Sequence, residues 1–224
     1  MKIEVRQIEK HTADVVVSNK HYSRSPSIFW IGFGLYCNDE LLGVVVYGQP
    51  SAALQKHAFN KRDFKFYELS RLVIDRKAPK NSASILIGRS LQMLDKPSAI
   101  VSYADSKHGH AGIVYQATNW IYTGSTVSHD CLYVVDGIET HPMTLRDRGI
   151  TNPMQWAKEN SIKTIKPEEK HRYFFFVGSK SQKKVMKEKL KYNAVNEYPK
   201  LEKSLYDCGP CISSLKIEHQ GCLF

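Results

Sequence analysis

The sequence predicts a single α/β domain, built as a mixed β-sheet with helices on its faces. Runs rich in β-branched and aromatic residues recur along the chain with the alternation typical of strands. Segments of helical pattern separate several of these runs, and no repeat or low-complexity tract interrupts them. A chain of 224 residues with 42% hydrophobic residues is long enough to bury one sizeable core.

The first half of the chain predicts four strands and two helices. The expected strands span residues 2–8, 28–36, 41–47 and 65–75, and the expected helices span 11–19 and 82–94. Asn38 and Asp39 have the composition of a hairpin turn, so the second and third strands are expected to be antiparallel. Asn81 or Ser82 can cap the second helix.

The second half continues the pattern with shorter elements. The expected elements are strands at residues 100–104, 120–123, 131–135 and 172–178, a helix at 110–118, and a basic helix or loop at 181–191. These strands complete the predicted mixed sheet.

The charge of the chain favours an anionic partner. Thirty-two Lys and Arg against 22 Asp and Glu give a net charge of +10, and residues 158–203 hold 13 Lys or Arg against 6 Asp or Glu. Nucleic acid is the commonest anionic partner of such proteins. The segment 181–191 is either a solvated face or a contact to phosphates.

Segments typical of secreted or membrane proteins are absent from the sequence. The chain starts with a charged, alternating stretch, and no run approaches 18 apolar residues. The five cysteines are an odd number, and three of them fall in the last 17 residues, unlike a disulfide framework. We therefore expect a soluble cytoplasmic protein with no membrane partner.

The first candidate site is the pair His21-Tyr22 in the loop KHYSRSPS. Imidazole nitrogen and phenolate oxygen can both ligate a transition metal, and histidine can act as a base near neutral pH. Lys20 and Arg24 add possible contacts to an anion. The alternative is an ordinary surface histidine beside a half-buried tyrosine.

The second candidate site follows the strand IVSYA. Asp105 lies at the end of this strand, and Tyr115 and Trp120 follow a Gly-punctuated segment that contains two histidines. Strand ends that open into loops often form ligand sites. The alternative is that Asp105 caps the following turn and that Tyr115 and Trp120 belong to the core.

The third candidate site is the turn PKNSAS that opens the second helix after the strand carrying Arg71. Backbone amides at a helix start, small side chains and a nearby lysine can bind phosphate or pyrophosphate. The residues concerned are Lys80, Asn81, Ser82 and Ser84. The glycine-rich signature that is usual at pyrophosphate-binding turns of this kind is missing. An ordinary capped helix is therefore the alternative.

The fourth candidate site lies near the end of the chain. Cys208, Cys211, His219 and Cys222 have a C-x2-C-x7-H-x2-C spacing that can hold tetrahedral zinc. A thiol redox pair and an inert tail are the alternatives.

Long strings of the sequence resemble the phage Mom family. They are YELSRLVIDRKAPKNSASILIG, IVSYADSKHGHAGIVYQATNWIYTG, HRYFFFVG and KLKYNAVNEYPK, in this order and spacing. The resemblance covers residues 15–200, which places a catalytic domain at residues 1–203 with its basic late region at 158–203. The Cys-containing tail at 204–224 is not covered.

The resemblance implies a fold and an activity. Family members resemble GCN5-related N-acetyltransferases, with a mostly antiparallel mixed sheet flanked by helices. They convert adenine in duplex DNA to N6-carbamoylmethyladenine and so protect phage DNA from restriction. The resemblance thus implies a phage- or prophage-encoded enzyme that acts on double-stranded DNA in the host cytoplasm.

The resemblance also implies site residues. The family's functional positions fall on His21, Tyr22, Arg71, Ser84, Asp105 and Tyr115. Iron is linked to the positions of His21 and Tyr22, and Arg71 belongs with the PKNSAS turn to the region of the donor. The donor stays open between acetyl coenzyme A, another acyl or glycine-derived group, and a tRNA-borne group.

The adenine N6 amine is a poor nucleophile that is stacked and paired in a duplex, so the enzyme is expected to flip the base. Asp105 is the expected base, and Tyr22, Tyr115 or Trp120 the expected aromatic wall.

Two alternative functions stay open. One is a plain acetyl-CoA-dependent N-acetyltransferase acting on a small amine or a protein, and the other is a non-catalytic DNA-binding protein.

Overall fold

A computed structural model describes residues 2–26, 28–126 and 131–200. The proposed zinc residues and the boundary between the predicted domain and its tail lie outside these ranges. No helix in the described ranges is both long and apolar enough to span a membrane.

The described residues form helices and strands in the following order: β1 (Ile3–Ile8), α1 (Lys10–Lys20), β2 (Ile31–Cys37), β3 (Glu40–Gly48), α2 (Ala52–His57), β4 (Lys65–Ile74), α3 (Ser82–Met93), β5 (Ser98–Asp105), α4 (Ile113–Ala117), β6 (Ile121–Thr126), β7 (Leu132–Val135), β8 (Ile138–Thr140), α5 (Pro142–Asp147), α6 (Pro153–Glu159), β9 (Thr164–Ile165), β10 (Lys170–Val177) and α7 (Lys180–Lys189).

Within the described ranges, seven strands form the main sheet in the order β1-β2-β3-β4-β5-β10-β6. Each neighbouring pair is antiparallel except β4 and β5, which are parallel. The predicted mixed, mostly antiparallel sheet with flanking helices is therefore confirmed. The hairpin turn at Asn38 and Asp39 is confirmed as well, and both residues have positive φ (47° and 66°), as tight hairpins require.

Helices cover both faces of this sheet. Because side chains alternate along a strand, Tyr67 and Ile100 point to one face, where they pack with α3. Phe66 and Val101 point to the other face, where they pack with Met186 of α7. The valines of β3 that face away from α3 pack against α1, which places α1 and α7 on the same side of the sheet.

The parallel strands β4 and β5 separate toward their carboxyl ends. They pair from Lys65 and Ser98 only as far as Leu69 and Ser102. The register of the β3–β4 pairing shifts at the same level, because Val46 pairs with Arg71 and Tyr47 with Leu69, so that the irregularity falls at Ser70. The ends of β4 and β5 beyond these residues are not paired with each other, and a gap opens between them.

The chain forms a small second unit between β6 and β10 in the sequence. Strands β8, β7 and β9 form a three-stranded sheet, and α5 and α6 pack beside it around Tyr133, Leu145 and Ala157. Lys107, just after β5, forms an ion pair with Glu139 of β8.

The sequence predicted only β7 of this unit and also missed α2. These elements have at most seven residues each, too few for a clear hydrophobic period. Proline stands at the start of α5 and α6, where its fixed φ suits a first helical position.

Three expected details were wrong. Asn81 does not cap α3 with its side chain, because it adopts the left-handed conformation with φ 67°. Ser82 does not cap it either, since its hydroxyl donates to the carbonyl of Pro79 (2.7 Å). The helix expected at 110–118 is only α4, because Gly112 has φ +71° and an added Cβ there would lie 2.5 Å from the Tyr173 ring.

Candidate active site

The gap between β4 and β5 contains a cleft of about 330 Å³, here called the gap cleft. Four of the predicted site residues line it: His21, Tyr22, Asp105 and Tyr115. They come from the segment after α1, the end of β5, and α4. The separation of two parallel strands thus brings together residues that are almost 100 positions apart in the sequence.

His21 is the C-cap residue that follows α1, and it is buried. Its Nδ1 lies 2.8 Å from the Ser23 hydroxyl and accepts a hydrogen bond from the Ser23 backbone N–H (3.2 Å). Burial, with a smaller effect of Arg71, lowers the pKa of His21 to about 3. The imidazole is therefore neutral at physiological pH, and because Nδ1 accepts, its proton is on Nε2.

Tyr22 lies among three imidazoles. Its ring centroid is 4.3 Å from that of His21, 4.2 Å from His108 and 5.7 Å from His110. The tyrosine itself is 39% exposed, so one part of this ring cluster faces solvent. His108 and His110 follow β5 directly, and they were part of the Gly-punctuated segment noted in the sequence.

Asp105 occupies the end of β5 with little exposure. Its Oδ1 accepts from the backbone N–H of Lys107 (3.1 Å), and its Oδ2 lies 3.3 Å from Nζ of Lys170. The capping role considered from the sequence is therefore confirmed. It does not remove the carboxylate from the cleft, since Asp105 caps the turn and lines the cleft at once.

Tyr115 and Trp120 both belong to the core, as the alternative from the sequence proposed. Trp120 is 1% exposed and packs against Tyr115 and Phe175, so it cannot form the expected aromatic wall for an incoming base. The Ser102 hydroxyl donates a hydrogen bond of 2.7 Å to the phenol oxygen of Tyr115. Burial raises the pKa of Tyr115 to about 12, which keeps its phenol neutral.

A second and wider cleft of about 760 Å³, the subdomain cleft, lies between the main sheet and the small unit. Glu68, Lys170 and residues of β7 to β9 line it. Tyr103 and Asp105 line both clefts, so the end of β5 forms a wall that the two clefts share.

Residues 2–200 match the family model described as the Mom protein family. The chain belongs to this family. It is 27% identical over 213 residues to "Methylcarbamoylase mom" of Escherichia phage Mu, a match that covers 89% of this chain and 84% of that protein.

The solved structures similar to this Mom-family chain include several acetyltransferases. One is the spermidine N-acetyltransferase of Vibrio cholerae in complex with CoA and spermine (TM-score 0.44, 11% identity, 78% of this chain and 95% of that one). Another is an acetyltransferase of the GNAT family from Streptococcus pneumoniae (TM-score 0.43, 11% identity, 79% of this chain and 100% of that one).

The expected donor residues of the Mom-family chain are only partly near the gap cleft. Arg71 donates from Nε to the Ser25 carbonyl (3.0 Å) and from Nη1 to the Ser70 carbonyl (2.8 Å), so it attaches the segment after His21 and Tyr22 to β4. Neither cleft is lined by the predicted donor residues of the PKNSAS turn, which are Lys80, Asn81, Ser82 and Ser84. Within the turn, the hydroxyl and the backbone N–H of Ser82 both donate to the Pro79 carbonyl.

The described residues at the gap cleft give no support to an iron centre. In the part of the chain that the structure describes, no group of three or more His, Cys, Asp and Glu side chains could hold a metal ion. Nδ1 of His21 is already an acceptor for Ser23, which leaves a protonated Nε2. We therefore assign no chemical step to a metal at His21 and Tyr22.

Glu68 was missed by the sequence analysis. It lies on β4 just before the gap and lines the subdomain cleft, and burial raises its pKa while Arg71 and Lys170 oppose the shift. The available signal was a lone carboxylate inside an apolar strand, in the string KFYELSRLVI. A half-buried carboxyl with a raised pKa at a cleft is a candidate for proton transfer.

The segment that carries His21 is also held by a buried ion pair. Nζ of Lys20 lies 3.8 Å from Oδ2 of Asp75, and these side chains are 2% and 0% exposed. Lys20 is the last residue of α1, and Asp75 follows β4 directly. The pair thus fixes the start of the His21-Tyr22 segment relative to the strand that forms one side of the gap.

Proposed function

We propose that this chain converts adenine in duplex DNA to its N6-carbamoylmethyl derivative. The observation that carries the proposal is the convergence of His21, Tyr22, Asp105 and Tyr115 on one cleft in a chain of the Mom family. The name of the phage Mu relative, a methylcarbamoylase, supports this reaction, and the excess of positive charge supports an anionic substrate.

Asp105 is the proposed base. Its carboxylate lies in the wall that both clefts share, so it can reach a group in either of them. As the bond forms between N6 and the methylene carbon, the bond from that carbon to the rest of the donor breaks, and the leaving group takes the electron pair. The amine loses a proton at the same time, and Asp105 accepts it. Lys170, 3.3 Å from Oδ2, keeps the carboxylate oriented.

His21 and Tyr115 are proposed as hydrogen-bond donors to the transferred group. The neutral imidazole presents its Nε2–H, and the neutral phenol of Tyr115 lies in the same cleft. A carbamoylmethyl group carries an amide carbonyl that accepts such bonds, and fixed donors at this oxygen orient the methylene carbon. The donor molecule supplies this two-carbon group, and acyl transfer alone would leave an acetamide instead.

Nucleoside mass spectrometry tests the proposal. Plasmid DNA is isolated from bacteria that express the wild-type chain, the Asp105→Asn variant, or the control Asp147→Asn, which changes an exposed aspartate on α5. Wild type and control should yield deoxyadenosine heavier by one carbamoylmethyl group, and Asp105→Asn should yield none. Unmodified DNA from all three at good expression would refute the proposal.

A plain N-acetyltransferase is the competing enzyme class. It predicts turnover of acetyl coenzyme A with a small amine in the absence of DNA. Turnover of this kind, together with unmodified plasmid DNA, would favour the competing class.

A further inference from the structure

We propose that duplex DNA binds along the outer face of α7 and that the adenine enters the subdomain cleft from this side of the sheet. The inference rests on the proposed function and adds to it the binding surface for DNA and the cleft that takes the base. Three observations carry it: a row of exposed lysines on α7, a common sheet face for α7 and the subdomain cleft, and an aromatic contact between them.

Lysines form a row on α7. Lys180, Lys184 and Lys187 are spaced i, i+4 and i+7, which places them on one face of the helix over about 10 Å. All three are exposed, and none forms an ion pair with another described residue. Met186, the buried residue of the helix, points away from this row into the core.

The positive charge is densest in this part of the chain. Residues 170–200 contain nine Lys or Arg and two Glu, whereas residues 131–169, which include the small unit, contain five Lys or Arg and six Asp or Glu. The small unit borders the same cleft, but it lacks this excess of positive charge. The lysine row is therefore the surface that complements a DNA backbone.

The lysine row and the subdomain cleft lie on the same face of the main sheet. Met186 of α7 packs with Phe66 and Val101 on that face. Two positions further along each strand, Glu68 and Tyr103 point to the same face, and both line the subdomain cleft. DNA held by α7 therefore lies on the side from which this cleft opens.

Tyr192 connects the two features. It follows α7, stacks on Phe174 at 5.8 Å, and lies under the Arg172 guanidinium, whose carbon is 3.5 Å from the ring centroid. Arg172 pairs directly with Tyr103 across β10 and β5. A cation and two phenols thus lead from the end of α7 to the wall of the cleft, the composition that binds unstacked bases in other single-strand sites.

The chemistry of the two clefts also separates them. Glu68 lines the subdomain cleft and not the gap cleft, and with the shared Asp105 it provides a second carboxylate that can accept from an exocyclic amine. Its volume of about 760 Å³ exceeds the 330 Å³ of the gap cleft. The gap cleft, lined by Leu69, Leu72 and Ile74 of β4, is then left for the donor.

DNA binding measures the role of the lysine row. Fluorescence anisotropy with a labelled duplex over a salt series compares wild type with Lys180→Ala/Lys184→Ala/Lys187→Ala. The matched control is Lys2→Ala/Arg89→Ala/Lys96→Ala, which removes the same charge near the β1 edge and α3, away from the α7 face. Loss of three phosphate contacts should weaken binding on the order of tenfold. It should also make the negative slope of log K against log salt shallower by about 2.7. The control should stay within about twofold.

Equal losses in the two triple variants would overturn the inference, because net charge alone would then explain binding. The cleft is tested by cross-linking wild type to a duplex that carries a photoreactive adenine analogue, followed by peptide mapping. Adducts are expected on Lys170 or on residues 132–141. Adducts on Tyr22 or Ile113, which line only the gap cleft, would overturn the assignment.

The failure of this inference can be distinguished from the failure of the proposed function. DNA that carries the carbamoylmethyl group, with equal affinity of wild type and the α7 variant, refutes the binding surface alone. Unmodified DNA, with binding that depends on the α7 lysines, refutes the function alone.

Discussion

The buried ion pair between Lys20 and Asp75 should make a large contribution to stability. Its side chains are 2% and 0% exposed, so a change of Lys20 to Met removes a positive charge that lies beside the buried Asp75 carboxylate. Removing one partner of a buried pair costs roughly 3–5 kcal/mol. A domain has about 5–15 kcal/mol in total, and for a chain of this size the loss corresponds to a melting temperature roughly 6–20 °C lower.

Urea denaturation of four proteins measures this contribution: wild type, Lys20→Met, Asp75→Asn and the double variant. Asn retains an acceptor for the Lys77 N–H, which Asp75 Oδ1 accepts at 2.8 Å, so Asp75→Asn mainly removes the charge. Because each single change removes one charge of the buried pair and keeps the other, the double variant should be less destabilised than the sum of the singles. A coupling of about 1–3 kcal/mol is expected.

Lys10→Met provides the matched control. It breaks an i,i+4 ion pair with Asp14 on the same helix, where the Lys10 side chain is 59% exposed, and such pairs contribute about 0.3–0.5 kcal/mol. If Lys20→Met destabilises the protein no more than Lys10→Met, the reasoning from burial is wrong. Additive single changes would likewise show that Lys20 and Asp75 do not interact.

Two further variants test individual groups at the clefts. Tyr115→Phe should lose only about 1 kcal/mol of stability, because Ser102 keeps the Leu69 carbonyl as a partner (2.8 Å). It should nevertheless reduce adenine modification more than tenfold, as measured by nucleoside mass spectrometry. Activity near that of wild type would exclude the phenol from the reaction. Glu68→Gln concerns a carboxyl whose pKa is raised on folding, so its contribution to stability is present below its usual pKa of 4.5 and is lost as the pH rises through the folded value. The variant should therefore be more stable than wild type at pH 7, with a difference that shrinks below about pH 4.5; a difference independent of pH in urea denaturation would contradict the assigned burial.

The main sheet was predictable because its strands are long and regularly patterned. β1, the β2–β3 hairpin, β4 and β10 each combine β-branched or aromatic residues with a clear boundary, and α3 follows a strand-ending proline. The small unit was not predictable, because α5, α6, β8 and β9 are short and polar and gain their stability from packing around Leu145 and Ala157.

Four residues that line the candidate site could be named from the sequence, but their geometry could not be predicted. The sequence strings pointed to His21, Tyr22, Asp105 and Tyr115, and these residues line one cleft. Their meeting depends on where β4 and β5 stop pairing, which no local pattern encodes. The same limit explains why Glu68 was overlooked, since only the packed sheet shows that this carboxyl is half-buried beside a cleft.

The wall at the end of β5 has a consequence for the order of events during turnover. Tyr103 and Asp105 contribute to two clefts, so the two reactants can occupy separate cavities at the same time and meet across these side chains. The first product then does not have to leave before the second substrate binds, and no enzyme-bound covalent intermediate is required. Initial-rate plots with both substrates varied should accordingly intersect, as in a ternary-complex mechanism, rather than run parallel.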